Sequence, residues 1–173
     1  MTTLNLKTGR EEISWECPIQ LLKTATLAGE MRAVSASDAL NCPTGSLDLK
    51  ELAEDADDVA ILVPDITRSW QDIPVMCTTI RKDLEETGID KVTWVIATGQ
   101  HRKMSIAEEE TVLGKSRRPK DNVFCHVSRE NIVDTGKTTS RGTPVKIERH
   151  VFEADLVVLL GGICYHDLAG FAG

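Results

Sequence analysis

Three short apolar runs, each cut off by proline, glycine or a polar cluster, constrain this chain more than any other feature. Val59-Ala60-Ile61-Leu62-Val63 stops at Pro64-Asp65, Val92-Thr93-Trp94-Val95-Ile96 stops at Ala97-Thr98-Gly99, and Leu156-Val157-Val158-Leu159-Leu160 stops at Gly161-Gly162. Runs this short and this rich in β-branched residues read as three buried strands, and the first has the near-continuous hydrophobicity of a strand buried on both faces. Residues 74–87 lie between the first two with helical spacing at Val75, Thr79 and Leu84, and Gly88 is the stop signal, so the three segments form a βαβ unit. A further helix is predicted to start at Ser105, where Ser105-Ile106-Ala107-Glu108 is a capping box, and to end near Gly114. Val123–Val127 is a candidate third strand and Val145–Arg149 an edge or hairpin strand. The alternation predicts an α/β layered domain with a largely parallel, Rossmann-like sheet whose catalytic loops follow the carboxyl ends of its strands.

The flanking sequence adds organisation. Leu4 and Leu6, a turn at Lys7–Arg10, then Ile13 and Trp15 ahead of Pro18 predict an opening hairpin. Residues 19–40 read as helical, 41–46 as a turn-rich connection, and Leu47–Ala56 as a short acidic helix. At 173 residues and 41% apolar, the chain can bury a core of its own, and one domain is expected. A net charge of -7 argues against a nucleic-acid partner, which requires a surplus of clustered cations. The basic run Lys115–Lys120 lacks interleaved aromatics and reads as a solvated loop. Cys17, Cys42, Cys77, Cys125 and Cys164 are scattered without a C-x-x-C pair, which fits reduced thiols in a cytoplasm. No stretch approaches the roughly 18 apolar residues of a membrane span, and the first residues have no apolar signal region, so no membrane partner is expected.

In a parallel sheet the segments that follow the apolar runs share one edge, where open α/β sheets bind ligands. Those segments are Asp65-Ile66-Thr67-Arg68, Thr98-Gly99-Gln100-His101-Arg102 and Gly161-Gly162-Ile163-Cys164-Tyr165-His166. Two of the four histidines, His101 and His166, fall in them, and histidine alone exchanges protons near neutral pH from an unperturbed side chain. Each also has a reading as a structural hydrogen-bonding residue. His126 and His150 are read as structural. Arg68 offers a fork to a carboxylate or phosphate, and Asp65 can accept from a ribose hydroxyl or orient a neighbouring donor; a surface ion pair between the two is the plain alternative. Thr135-Gly136-Lys137-Thr138-Thr139 fails as a P-loop, because Asn131 stands where a glycine is required. No G-x-G-x-x-G follows Gly161. Cys125-His126 and Cys164/His166 each lack a second ligand pair, so no metal ligands are assigned.

Taken together, Asp65-Ile66-Thr67-Arg68, Ala97-Thr98-Gly99-Gln100-His101-Arg102 and Tyr165-His166-Asp167-Leu168-Ala169-Gly170-Phe171-Ala172-Gly173 resemble the motif set of the lactate racemase family in order and approximate spacing. The resemblance runs from about Asp57 to the end. It implies an isomerase that inverts 2-hydroxy acids by passing a hydride to and from a nickel-pincer nucleotide, the nickel complex of a pyridinium bisthiocarboxylate mononucleotide. It implies His101 and His166 as the two acid/bases, and Asp65, Ile66, Thr67 and Arg68 as the loop that binds the cofactor. In the family a lysine that can tether the cofactor and a nickel-coordinating histidine lie beyond the glycine-rich motif, and a second domain closes the cleft. The expectation is therefore that residues 1–173 are the N-terminal, catalytic-histidine part of a longer enzyme, whose C-terminal domain is the missing partner, and that they are inactive alone. Two other readings stand beside this one. The first is an α/β module that holds a nucleotide or organic anion without turnover, and the second is a hydrolase using His101 or His166 as base, for which no nucleophile motif is present.

Overall fold

A computed structural model of the chain describes residues 2–8, 11–18 and 33–172. They fall into two compact units, Met1–Ala33 and Val34–Gly173. In the first, β1 (Thr2–Thr8) and β2 (Glu11–Cys17) pair antiparallel with Leu4 opposite Trp15 and Leu6 opposite Ile13, the hairpin expected from the alternation. Of the predicted helix over 19–40, residues 19–32 lie outside the described residues. The remainder forms α1 (Ala36–Leu40), capped by the Ser35 hydroxyl on the Asp38 amide.

The second unit is built on a four-stranded, wholly parallel sheet. Its strands are β3 (Val59–Pro64), β4 (Thr93–Ala97), β5 (Asn122–Cys125) and β8 (Leu156–Leu159), in the order β5-β4-β3-β8. Each apolar run thus became a strand. Register aligns Ala60 with Thr93 on one side and with Val157 on the other. Helices α2 (Leu49–Ala53), α3 (Ile73–Glu86) and α4 (Ile106–Leu113) supply Ala53, Ile73, Cys77, Ile80, Leu84, Val112 and Leu113 to one core with Val59, Ile61, Val63, Trp94 and Ile96. Burying each large apolar side chain contributes about 1.5–3 kcal/mol, and period-2 alternation sends every second strand residue to this face.

The α3 helix stands where its spacing predicted, but on a different face. Ile73, Cys77, Ile80, Arg81 and Leu84 are buried, whereas Val75 is exposed. Pro74 occupies its first turn, where the missing amide costs nothing. The α4 capping box is formed as expected, with Ser105 accepting from the Glu108 amide and Glu108 from the Ser105 amide.

Between β5 and β8 the chain makes an antiparallel pair, β6 (Ile132–Thr138) and β7 (Pro144–Glu148), followed by the single turn of α5 (Arg149–Phe152). Thr135–Thr138 lie within β6, which bears out the rejection of a P-loop. After β8 comes a small hairpin, β9 (Cys164–His166) with β10 (Gly170–Ala172), that the sequence reading did not anticipate. The β8 strand also departs from the expected burial. It is an edge strand, and Val157 and Leu159 are exposed, Leu159 by 76%.

At the amino-terminal edge of the sheet sits a buried polar keystone. The Asp121 carboxylate accepts from the amides of Val92 and Arg118, from the Trp94 indole at 3.0 Å and from the Arg81 guanidinium at 3.4 Å. Arg81 also donates to the carbonyls of Ile89 and Asp90. Neither charge is accessible to water.

Candidate active site

The strand order fixes where a ligand site belongs. From β3 the chain steps to β4 and β5 on one side, and β8 lies on the other, so the order of strands reverses between β3 and β8. The crevice outside the carboxyl ends at such a switch point is the preferred ligand position in open α/β sheets. The loops after β3, β4 and β8 are the three that carry the polar motifs.

Asp65 leaves β3 and caps a 3-10 helix, Ile66–Gln71. Its Oδ1 accepts from the Thr67 amide at 3.0 Å and the Thr67 hydroxyl at 2.5 Å, and Ile66 packs against the core, so the start of the segment is anchored. Asp65 Oδ2 lies 2.5 Å from His101 Nδ1. Burial pushes the Asp65 carboxyl up, but the hydrogen bonds from Thr67 and His101 outweigh it and hold the group below its ordinary range. The ion pair between Asp65 and Arg68 that stood as the plain alternative does not form. The Arg68 side chain is exposed and has no hydrogen-bond or ion-pair partner among the described residues, although its amide donates to the Asp65 carbonyl at 3.0 Å.

His101 is carried by a tight turn, closed by its amide donating to the Thr98 carbonyl at 2.9 Å, with Gly99 at φ 58°, a conformation that favours glycine. Thr98 is buried and its hydroxyl donates to the His126 carbonyl, tying this turn to the end of β5. Because an ionised Asp65 can only accept, His101 Nδ1 is the donor of that pair, which leaves Nε2 as the acceptor on a ring that is 56% exposed. Arg102 turns away and grips Glu108 with both terminal nitrogens, at 2.8 and 2.6 Å.

His166 sits at the end of β9, opposite Gly170, and the rings of Tyr165 and Phe171 pack tilted at 34° with centroids 4.8 Å apart. The motif from Tyr165 to Phe171 is therefore one hairpin. Its turn is held by His166 itself, whose Nδ1 accepts the amides of Leu168 at 3.1 Å and Ala169 at 3.2 Å. The neutral ring thus carries its proton on Nε2, the reverse of His101. Asp167 Oδ1 lies 3.3 Å from Nδ1. No hydrogen bond among the described residues joins His166 to Asp65 or His101.

Gln71 is a site residue that the sequence reading missed, since a glutamine ending a polar segment gives no pattern. Its Oε1 accepts from the Gly162 amide at 3.1 Å and its Nε2 donates to the Gly162 carbonyl at 3.5 Å. The other two histidines make different contacts. His150 stacks on Phe124 at 3.7 Å between ring centroids and pairs with Glu148 at 2.8 Å, and His126 lies just after β5. Cavities of about 280 and 230 Å³ lie beside β6, β7 and β5, and neither is lined by Asp65, Arg68, His101 or His166.

The remaining expectations concern ligands and surroundings. Among the described residues no group of three or more His, Cys, Asp or Glu side chains is arranged to hold a metal ion. The five cysteines are free, and burial pushes the Cys77 thiol up to about 12, which leaves it unreactive. No helix is long and apolar enough to cross a membrane. Lys115–Lys120 forms a turn-rich loop in which Arg118 pairs with Glu85 at 2.7 Å.

Residues 12–173 match the family described as "Lactate racemase N-terminal domain", so the likeness begins well before the motifs. The chain is 29% identical over 185 residues to the lactate racemase of Thermoanaerobacterium thermosaccharolyticum, covering all of this chain and 42% of that protein. It is 29% identical over 140 residues to the lactate racemase of Lactiplantibacillus plantarum, covering 78% and 32%. The solved apoprotein of the former superposes with a TM-score of 0.81 over 99% of this chain at 26% identity, and a Thermotoga maritima protein superposes with 0.61 over 72% at 25%. The chain spans less than half the length of the relatives it matches. A parallel sheet with a switch point, two histidines in loops at its carboxyl edge and a match over nearly the whole sequence lead to one conclusion: this chain belongs to the family of lactate racemase N-terminal domains.

Proposed function

We propose that this domain carries the two proton-handling groups of a racemase that inverts a 2-hydroxy acid. The observation that supports it most is the Asp65–His101 pair at the switch-point crevice, with a second histidine, His166, presented by the loop of the strand on the other side of the switch. Inversion through a planar keto acid requires a proton handler on each face, and a single histidine serves only one.

The residues present suit the anionic parts of both substrate and cofactor. Arg68, uncommitted and exposed beside Asp65, would take the phosphate of a nickel-pincer nucleotide or the carboxylate of a 2-hydroxy acid. Thr67 and the backbone of the 3-10 helix, fixed by Ile66 in the core, would complete the cofactor contact. When bound, that group supplies the acceptance and return of hydride at C2. The protein's own work is the proton. His101 Nε2 takes the hydroxyl proton, and the buried Asp65 carboxylate steadies the cation so formed. His166 then presents Nε2–H to the oxygen on the opposite face. To give that proton up fully it takes one from solvent at Nδ1, which displaces the amides of Leu168 and Ala169 and turns to Asp167, and His101 returns the proton it took to solvent.

A second reading is an α/β module that binds an anion without turnover. We expect the isolated chain to be inactive. The deciding experiment uses a full-length enzyme that carries this domain and is loaded with cofactor. His101→Ala and His166→Ala are each expected to lower inversion of lactate by roughly 10²–10⁴-fold, with circular dichroism unchanged. Lactate deuterated at C2 is expected to keep its label. Full turnover in either variant removes the two-base assignment, and loss of deuterium to water replaces hydride transfer with proton abstraction.

A further inference from the structure

We infer that Gln71 is a positioning residue, a clasp that fastens the loop bearing His166 to the loop bearing Asp65 across the switch-point crevice. The two partners are 91 residues apart in sequence, and one side-chain amide meets both backbone groups of a single residue, Gly162. Gly162 lies between β8 and β9, outside any ladder, so its amide and carbonyl need partners that the sheet does not provide. Two bonds to one residue fix orientation as well as distance.

The glycine pair after β8 shows how closely the clasp fits. A Cβ added at Gly161 meets nothing within 4 Å, whereas at Gly162 it lies 2.7 Å from Gln71 Nε2 and 2.8 Å from Cδ. Gly162 is not in the left-handed region, so what it contributes is room for the glutamine amide and not backbone freedom. Gln71 is itself held firmly. It ends the 3-10 helix that Asp65 caps, and the next turn of chain buries Ile73 completely at the start of α3. A short path of hydrogen-bonded chain, kinked at Arg68, therefore runs from the Asp65–His101 pair through the 3-10 segment and Gln71 to Gly162, four residues before His166. The clasp sets how the hairpin of β9 and β10 stands over the crevice, and so the separation of the two histidines. Only that last consequence rests on the racemase reading.

The test is made on the 173-residue protein by amide exchange and by imidazole NMR. Gln71→Leu keeps the bulk and removes both polar contacts. It is expected to speed exchange of the Gly162 amide about fivefold or more and to shift the His166 ring signals, while the amides of β3 and β4 and the His101 signals stay unchanged. Gln71→Glu keeps the acceptor and is expected to restore protection of the Gly162 amide. Gly162→Ala, which crowds the glutamine, should disturb the same signals as Gln71→Leu. An unchanged Gly162 amide and His166 signal in Gln71→Leu overturns the clasp, and so does an equal loss of protection in β3 and β4. In cofactor-loaded full-length enzyme Gln71→Leu should lower kcat at nearly constant KM. An enzyme that inverts nothing even unmutated defeats the racemase reading and leaves the exchange result standing, so the two failures are told apart.

Discussion

At the scale of single residues the site is an exercise in proton placement. Asp65 accepts at His101 Nδ1 and two backbone amides donate to His166 Nδ1, so the hydrogen-bond network sets the two rings in opposite neutral tautomers. Nitrogen-15 NMR above pH 8 distinguishes them. His101 is expected to show a pyrrole-type Nδ1 and a pyridine-type Nε2, and His166 the reverse; identical tautomers would show that this network does not persist in solution. The Asp65 carboxylate is held below its unfolded range, so the stability it lends is fully present above about pH 3.9 and is lost as pH falls through its lower folded value. Asp65→Ala is expected to release the His101 tautomer without moving that of His166. The motif residues were legible in the sequence because chemistry-bearing side chains beside strand ends are conspicuous. Their partners were not. Asp65 and Arg68, three positions apart, look like an ion pair, and only the fold shows that the carboxylate turns to a histidine 36 residues away.

At the scale of elements, what could be read depended on whether the stabilising contacts are local. The three apolar runs and the capping box of α4 carry their own signals, and all were found near their expected bounds. The 3-10 helix after Asp65 and the hairpin of β9 and β10 carry none. They are short and held by side-chain bonds from Asp65 and His166, which no period reports. The strand β6 escaped for a related reason, since Asp134-Thr135-Gly136-Lys137-Thr138 is polar and exposed and pairs only because β7 returns alongside it. The capping box yields a direct test at this scale. Ser105→Ala removes the acceptor for the Glu108 amide and should cost about 1 kcal/mol in urea denaturation. Glu108 is held down to about 2, chiefly by the Arg102 guanidinium and then by the Ser105 amide. Its contribution is therefore present above the ordinary glutamate range, about pH 4.3, and lost as pH falls toward 2. The stability difference between wild type and Glu108→Gln should accordingly shrink over that interval, and a constant difference would mean that the pair contributes nothing.

At the scale of the second unit, the two edges of the sheet are given to different tasks. The carboxyl edge presents Arg68, His101 and His166 to solvent on loops, while the amino edge encloses Arg81 and Asp121 among the starts of β4 and β5 and the end of α3. Sequence patterns reported the sheet and its direction but not this division, because the residues of the keystone lie 40 apart and each looks like an ordinary surface charge. The pattern also misjudged β8, since an apolar run does not say which strand ends up at an edge with one face uncovered. The division predicts that stability and chemistry separate under mutation. Asp121→Ala leaves a buried guanidinium, an indole N–H and two amides without their acceptor, and removing one member of a buried pair costs about 3–5 kcal/mol. Its urea midpoint should drop accordingly, yet under conditions where it remains folded the His101 and His166 tautomers should match wild type. Asp65→Ala should do the opposite, altering the His101 signal with a much smaller fall in midpoint, because its partner His101 is half exposed and recovers water. If both variants shifted both readouts together, the two edges would be coupled through the sheet, and the site could no longer be treated as loops set upon an independent scaffold.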